Sequence, residues 1–250
     1  MSSNDILEVI QFENQIRNRY QEVCERIQAA AIRAGRKADD VCLLVVTKTH
    51  PVELVRAVIK AGALHLGENY AEEGIEKMQD LGKVEGLHWH MIGHVQGRKA
   101  GQVAAHYDWL HSLDSLKLAI RLSRFANEQA RRLPVLLECN VSGESSKYGW
   151  PAWQEETWVD LLEPFAQVKD LPGLEIRGLM TMAPFLPDPE QARPYFKRLK
   201  RLQSFLATRL PEAEWSDLSM GMSADFEIAV EEGATWVRVG SAITGPRVQE

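Results

Sequence analysis

Lys48 stands where a strand should end. Residues 41–51 read VCLLVVTKTHP: six apolar residues, then Thr47-Lys48-Thr49-His50, then Pro51, which has no amide to give to a ladder. A solvated strand terminus would explain a lysine there, but so would a placed amine. Partial burial favours the neutral, nucleophilic form of such an amine, which condenses with an aldehyde to a Schiff base. Two further segments offer glycine–hydroxyl turns. In SMGMSADFE (219–227), Gly221 lets a backbone approach closely, Ser223 is an N-cap residue, and Asp225 falls in the first helical turn. In RVGSAI (238–243), Gly240 and Ser241 open a second turn of the same kind. Backbone amides at helix starts attract anions.

Taken singly, Ser223 reads as a cap, Gly240 as a turn and Arg238 as half of a buried ion pair. Taken together with Lys48 they describe the two ends of pyridoxal 5′-phosphate (PLP), an aldehyde and a phosphate. Arg238, two residues before Gly240, is spaced to meet the pyridine nitrogen. A guanidinium keeps its proton, so the ring would be a weak electron sink.

These residues need elements to position them. In 6–31 the apolar residues Val9, Ile16, Tyr20, Val23, Ile27 and Ala30 recur at helical steps, and Gly35 closes the segment. Eight short apolar runs follow, at 42–47, 64–67, 87–92, 109–113, 135–141, 176–182, 218–220 and 236–239. Helix-period segments such as 52–60 and 226–232 separate them, with Gly62 and Gly233 at C-cap positions. Strand–helix alternation predicts a parallel sheet with crossover helices, and eight units in 250 residues match an α/β (β/α)8 TIM barrel. A doubly wound open sheet is the competitor, but no glycine-rich dinucleotide fingerprint follows the first run. No low-complexity linker interrupts the series. Residues 1–250 are expected to form one domain, with 1–36 an added N-terminal helix packed on the barrel. In that fold chemistry sits at the C-terminal strand ends, where Lys48, Asn69, His94, Asp114, Asn140, Met182, Ser219 to Ser223, Gly240 and Ser241 all lie.

The composition sets limits. It is 45% hydrophobic and 26% charged with a net charge of −6, which disfavours a nucleic-acid surface. The basic run 197–201 reads as a solvated helix face. Three cysteines with no CxxC spacing imply neither a disulfide framework nor a zinc site, and fit a reducing, cytoplasmic setting. The N-terminus lacks the pattern of a signal peptide, and no apolar run approaches the ~20 residues that a bilayer needs. His88 and His90 flank Trp89 on one strand face, but a metal would need further ligands at that level, so packed or rim histidines are expected. Asp225 reads as a helix-start carboxylate, and Lys147, in GESSKYG, as either a solvated loop lysine or one that neutralises phosphate or takes cofactor in transit.

The ordered motifs VVTKT (45–49), GENY (67–70), HWHMIG (88–93), SSKYG around Lys147, RGLMTM (177–182), LSMGMSAD (218–225) and VRVGSAI (237–243) resemble the YggS/PROSC family of pyridoxal-phosphate homeostasis proteins over nearly the whole chain. The resemblance implies a fold-type III PLP barrel like the N-terminal barrel of alanine racemase, with the cofactor joined to Lys48 as a Schiff base. It implies that Ser223, Gly240 and Ser241 hold the phosphate with the Met222 amide, that Arg238 faces the pyridine nitrogen, and that Asn69 lies near the ring substituents. The implied role is to bind, buffer and deliver the cofactor to apo-enzymes, without a robust turnover. Two stretches depart from the family pattern. Thr244 stands where phenylalanine is usual, and 93–99 carries His94 and Gly97-Arg98 where proline and serine/threonine-asparagine are common.

The alternative is a PLP-dependent amino-acid racemase. Two-base racemisation needs a second acid/base across the ring from Lys48. In racemases resembling this barrel that group is a tyrosine on an added β-domain of a partner subunit. Here only residues 243–250 follow the eighth run, so a carrier, and a monomer, are expected. An interaction scaffold with a vestigial pocket would bind no cofactor and would not notice the loss of Lys48.

Overall fold

The alternating runs close on themselves. The computed structural model describes residues 3–245. Among these, eight parallel strands form a ring: β1 (Cys42–Val46), β2 (His65–Glu68), β3 (His88–Met91), β4 (Trp109–Leu113), β5 (Leu133–Asn140), β6 (Leu174–Met180), β7 (Asp217–Ser219) and β8 (Trp236–Val239). Val45 pairs with Leu66 on β2, while Cys42 pairs with Trp236 on β8, so the first and last strands meet. Leu110↔Val135 joins β4 to β5, and Gly178↔Asp217 joins β6 to β7. A ring leaves no strand edge open to another chain. This is the (β/α)8 barrel that the alternation predicts, and not the open sheet.

Outside the ring lie α2 (Val52–Lys60), α3 (Ala71–Leu81), α4 (Ala100–His106), α5 (Leu116–Glu128), α6 (Leu162–Lys169), α7 (Arg193–Arg209), α8 (Phe226–Glu231) and α9 (Ser241–Thr244). Each has a buried stripe against the strands, such as Leu118, Ala119, Leu122 and Ala126 on α5. One large core of buried residues results. The N-terminal helix α1 (Ser3–Arg33) runs longer than its 6–31 signal. It packs on the barrel's outside against α2, α8 and α9. Its apolar stripe buries Ile16, Val23 and Ile27, and Arg26 and Arg33 bond Glu227 on α8.

Two irregularities were not legible in the sequence. A two-residue strand, Trp150–Pro151, adds to β5 at Cys139 and Asn140. On β6 the pairing with β5 shifts between Val135 and Leu136, beside Gly178 at φ +153. A Cβ on Gly178 would run into the Asp217 carbonyl oxygen, so only glycine lets β6 and β7 approach this closely.

The barrel interior is only partly aliphatic. Leu44, Ile92 and Trp236 form a small cluster inside it with Trp109 beside them. Below the pocket, imidazoles replace the usual branched side chains. His65, His90 and His111 pack against Trp236 at ring-centroid distances of 5.0, 5.0 and 5.7 Å.

Candidate functional site

A cavity of about 580 Å³ opens at the C-terminal strand ends. Lys48, Asn69, Met222, Ser223, Arg238, Gly240 and Ser241 all line it, so the fold brings the seven expected residues to one place. Lys147 is not among the lining residues. Its Nζ donates to the Met182 carbonyl at 3.0 Å and pairs with Glu144 at 2.6 Å, which ties down its own loop.

Lys48 is half-buried, just past β1, and the peptides on both sides of it are clamped. Lys77 on α3 donates to the Thr47 carbonyl at 2.7 Å, and the Thr47 hydroxyl donates to Glu68 at 2.6 Å. Thr49 sits at φ +61, an unusual conformation for a β-branched residue, and its amide donates to Glu73 at 2.5 Å. Lys77 bridges the two carboxylates, at 2.8 Å to Glu68 and 2.6 Å to Glu73. Burial raises the Glu68 carboxyl, Lys77 opposes that shift, and Glu68 Oε2 has no partner among the described residues. The GENY motif pointed to Glu68. Nothing in the pattern singled out Lys77 or Glu73, whose role depends on α3 packing under β1.

The loops after β7 and β8 are joined by Ser223, and here two expectations change. Ser223 does not cap a helix, because α8 begins only at Phe226 and Asp225 occupies the cap position. The Ser223 hydroxyl instead accepts from the Gly240 amide at 3.2 Å and the Ala242 amide at 3.4 Å, stitching the two turns together. The Met222 amide is also engaged, donating to Asp225 Oδ1 at 2.6 Å. Among the described residues, the amides of Ser223, Ala224 and Ser241 find no acceptor. The Met222 and Gly240 amides are thus engaged within the protein, whereas those of Ser223, Ala224 and Ser241 are left for an anion. The physical reason is that Asp225, largely buried, turns back on its own loop.

Arg238 on β8 is 4% exposed and forms no ion pair with another described residue. Its guanidinium donates to Ser219 Oγ at 2.6 Å and to the Thr181 carbonyl at 2.9 Å. Behind Ser219 a chain of imidazoles crosses the barrel. Ser219 Oγ lies 2.9 Å from His111 Nδ1, His111 Nε2 lies 3.0 Å from His90 Nδ1, and His90 Nε2 lies 3.0 Å from His65 Nδ1. Burial lowers Arg238 to about 10, still cationic at neutral pH. Burial and the neighbouring charges hold His90 and His111 well below their ordinary range, and burial takes His65 down to about 4. Neutral imidazoles can each donate once and accept once, and the guanidinium only donates, so a run starting at Arg238 and passing through Ser219, His111 and His90 to His65 satisfies every member. His88 belongs to the opposite mouth, half-exposed and stacked on His65 at 5.2 Å.

At the rim stand His94, from the 93–99 segment, Tyr148 and Phe185. His94 Nδ1 meets Asp114 at 2.8 Å and the His94 ring stacks on Tyr148 at 3.9 Å. A Cβ at Gly93 would collide with the Asn69 backbone, so this loop seats Asn69. Phe185 is 87% exposed at the mouth.

A charged lining residue went unread in the sequence: Glu138 on β5, 3% exposed. Burial, and then Asp114, push its carboxyl up to about 7, with Arg238 opposing. The signal was present, a lone acid inside an apolar run with the same parity as Asn140.

The donor set fits PLP. It offers a half-buried amine beside the cavity, unpaired amides on the far loops, a buried cation between them, and a volume in the ~300–1,000 Å³ range of small-ligand sites.

The comparisons agree. The profile of the family described as alanine racemase, N-terminal domain, matches residues 13–248. A protein of Pseudomonas aeruginosa named pyridoxal phosphate homeostasis protein is 42% identical over 230 residues, covering 90% of this chain and 93% of that one. PipY of Synechococcus elongatus, solved with PLP bound, superposes with a TM-score of 0.76 at 35% identity, covering 89% of this chain and 100% of that one. An alanine racemase of Clostridium difficile shares the fold alone, at a TM-score of 0.68 and 15% identity, and the match covers only 56% of the racemase chain. This chain belongs to the alanine racemase N-terminal domain family, among its pyridoxal phosphate homeostasis proteins.

Proposed function

We propose that this protein binds PLP and serves in its homeostasis, holding and buffering the cofactor and passing it to apo-enzymes. One observation carries the reading: the Lys48 amine and the unpaired amides of Ser223, Ala224 and Ser241 face one cavity, with Arg238 in its wall. The names and the PLP-bound neighbour reported above support it. When bound, the cofactor supplies an aldehyde that Lys48 can hold covalently and a ring that can draw electrons from the carbon of an attached amine. The chain's part is to orient. Lys77, Glu68 and Glu73 aim Lys48, Ser223 keeps the two anion loops together, and Asn69 would lie near the ring substituents. Arg238 would face the pyridine nitrogen as a cation that gives up no proton, leaving the ring a weaker electron sink.

In this proposal residues 1–250 act as one domain, monomeric and cytoplasmic. The three cysteines are free, and among the described residues no helix is long and apolar enough to cross a membrane.

The test begins by loading purified protein with PLP and recording its visible absorbance band. We expect a Lys48-dependent band, lost in Lys48→Ala. The next step follows deuterium from heavy water into the α-carbon of L-amino acids by NMR. No exchange supports the carrier. Lys48-dependent exchange or D-isomer formation would make it a racemase-like enzyme.

A further inference from the structure

Glu138 is a carboxyl that the pocket leaves without a partner. It projects from β5 into the cavity, is 3% exposed, and receives no hydrogen bond from any described residue. A buried carboxylate with no donor is costly, whereas the neutral acid is tolerated and can itself donate.

The groups that face it come from every side of the barrel. Arg238 on β8 favours its ionised form, and Asp114 at the end of β4, already held by His94, disfavours it. Lys48 and His50 line the β1 side of the cavity, and His94 and Tyr148 line the rim. The neighbouring strand β6 pairs Met180 with Glu138 and leads to Met182 in the cavity wall, neither of them charged. Burial and Asp114 together outweigh Arg238, so the carboxyl sits up at about 7 in the open pocket.

We propose that Glu138 is a ligand-contacting residue of this pocket that enters the complex as the neutral acid, so that binding takes up a proton from water. The inference rests on the PLP reading above and adds a control to it. An aromatic ring displaces the water beside Glu138, and a phosphate brings further negative charge. Both disfavour the carboxylate. The proton goes from solvent to a Glu138 oxygen, which then donates to an acceptor on the ring. Affinity therefore falls as pH rises past about 7, and the protein holds its cargo more tightly in mild acid than in mild alkali.

The test uses pyridoxine 5′-phosphate, which keeps the ring and phosphate but has an alcohol in place of the aldehyde. Lys48 then forms no covalent bond, and it is the same in the wild type and the variant, so their difference reports Glu138. Calorimetric titrations in two non-phosphate buffers with different ionisation heats give the protons taken up by the wild type and by Glu138→Gln. We expect greater uptake by the wild type at pH 7.5. We also expect a wild-type-to-variant affinity ratio that falls toward about tenfold per pH unit above neutrality. Equal uptake with a constant ratio overturns the inference. If Glu138→Gln does not fold, infrared difference spectra of the wild type with 13C-labelled glutamate decide. A protonated-carboxyl band that grows on ligand addition supports the proposal, and its failure to grow overturns it. If the wild type binds neither this probe nor PLP, the PLP reading falls and this inference with it, whereas binding without proton uptake removes this inference alone.

Discussion

The guanidinium of Arg238 depends on a hydroxyl. Ser219 accepts its bond at 2.6 Å and passes the polarity to His111, so one small side chain joins a buried cation to a buried imidazole. Ser219→Ala would leave both without that partner. Removing the acceptor of a buried charged donor costs about 2–3 kcal/mol, and urea unfolding at pH 7 should show a loss of that size. A loss under ~0.5 kcal/mol would mean that water replaces the hydroxyl and that Ser219 does not hold the guanidinium. Lys48 shows the same dependence, since its direction comes from Thr47 and Thr49, which Lys77 and two glutamates hold.

At the scale of elements, the imidazole chain ties together strands distant in sequence: His65 on β2, His90 on β3, His111 on β4 and Ser219 on β7. Its histidines are held below their ordinary pKa by burial, so the unfolded chain binds protons that the folded one refuses. Their contribution to stability is complete above pH ~6.5 and is lost as pH falls through the window toward about 4, where His65 titrates. Glu138 works the other way, because its raised carboxyl favours the folded state as pH drops from about 7. The two are separated by comparing variants. Urea midpoints should fall between pH 6.5 and 5 in the wild type, and less steeply in His65→Gln, whose amide can still bond His90. Parallel slopes would show that the chain does not titrate on unfolding.

For the molecule as a whole, ligand and stability are linked by mass action. A ligand that binds only the folded chain stabilises it by about 2.7 kcal/mol at a hundred times its Kd, which for this length is a Tm rise of several degrees. Saturating PLP should give such a rise by scanning calorimetry, and a smaller one in Lys48→Ala. Equal rises in both proteins would mean that the cofactor is held without its lysine.

Much of this architecture was legible in the sequence because it is written in periodicity. Eight apolar runs with helical spacers are a local pattern, and 42–47 or 236–239 need no partner to be read as strands. Motif positions around Lys48, Arg238 and Gly240 were readable for the same reason, since each sits at a strand end. What stayed hidden depends on residues far apart in the chain. Ser223 bonds Gly240 instead of its own helix, and Met222 gives its amide to Asp225, because the two loops meet only when β7 lies beside β8. Glu138 went unread because only closure of the barrel buries it near Arg238 and Asp114. The sequence by itself determined which strands form and which chemical groups stand at their ends. Only the tertiary structure decided which of those groups face one another, because burial, pairing and protonation belong to neighbours that the ring brings together.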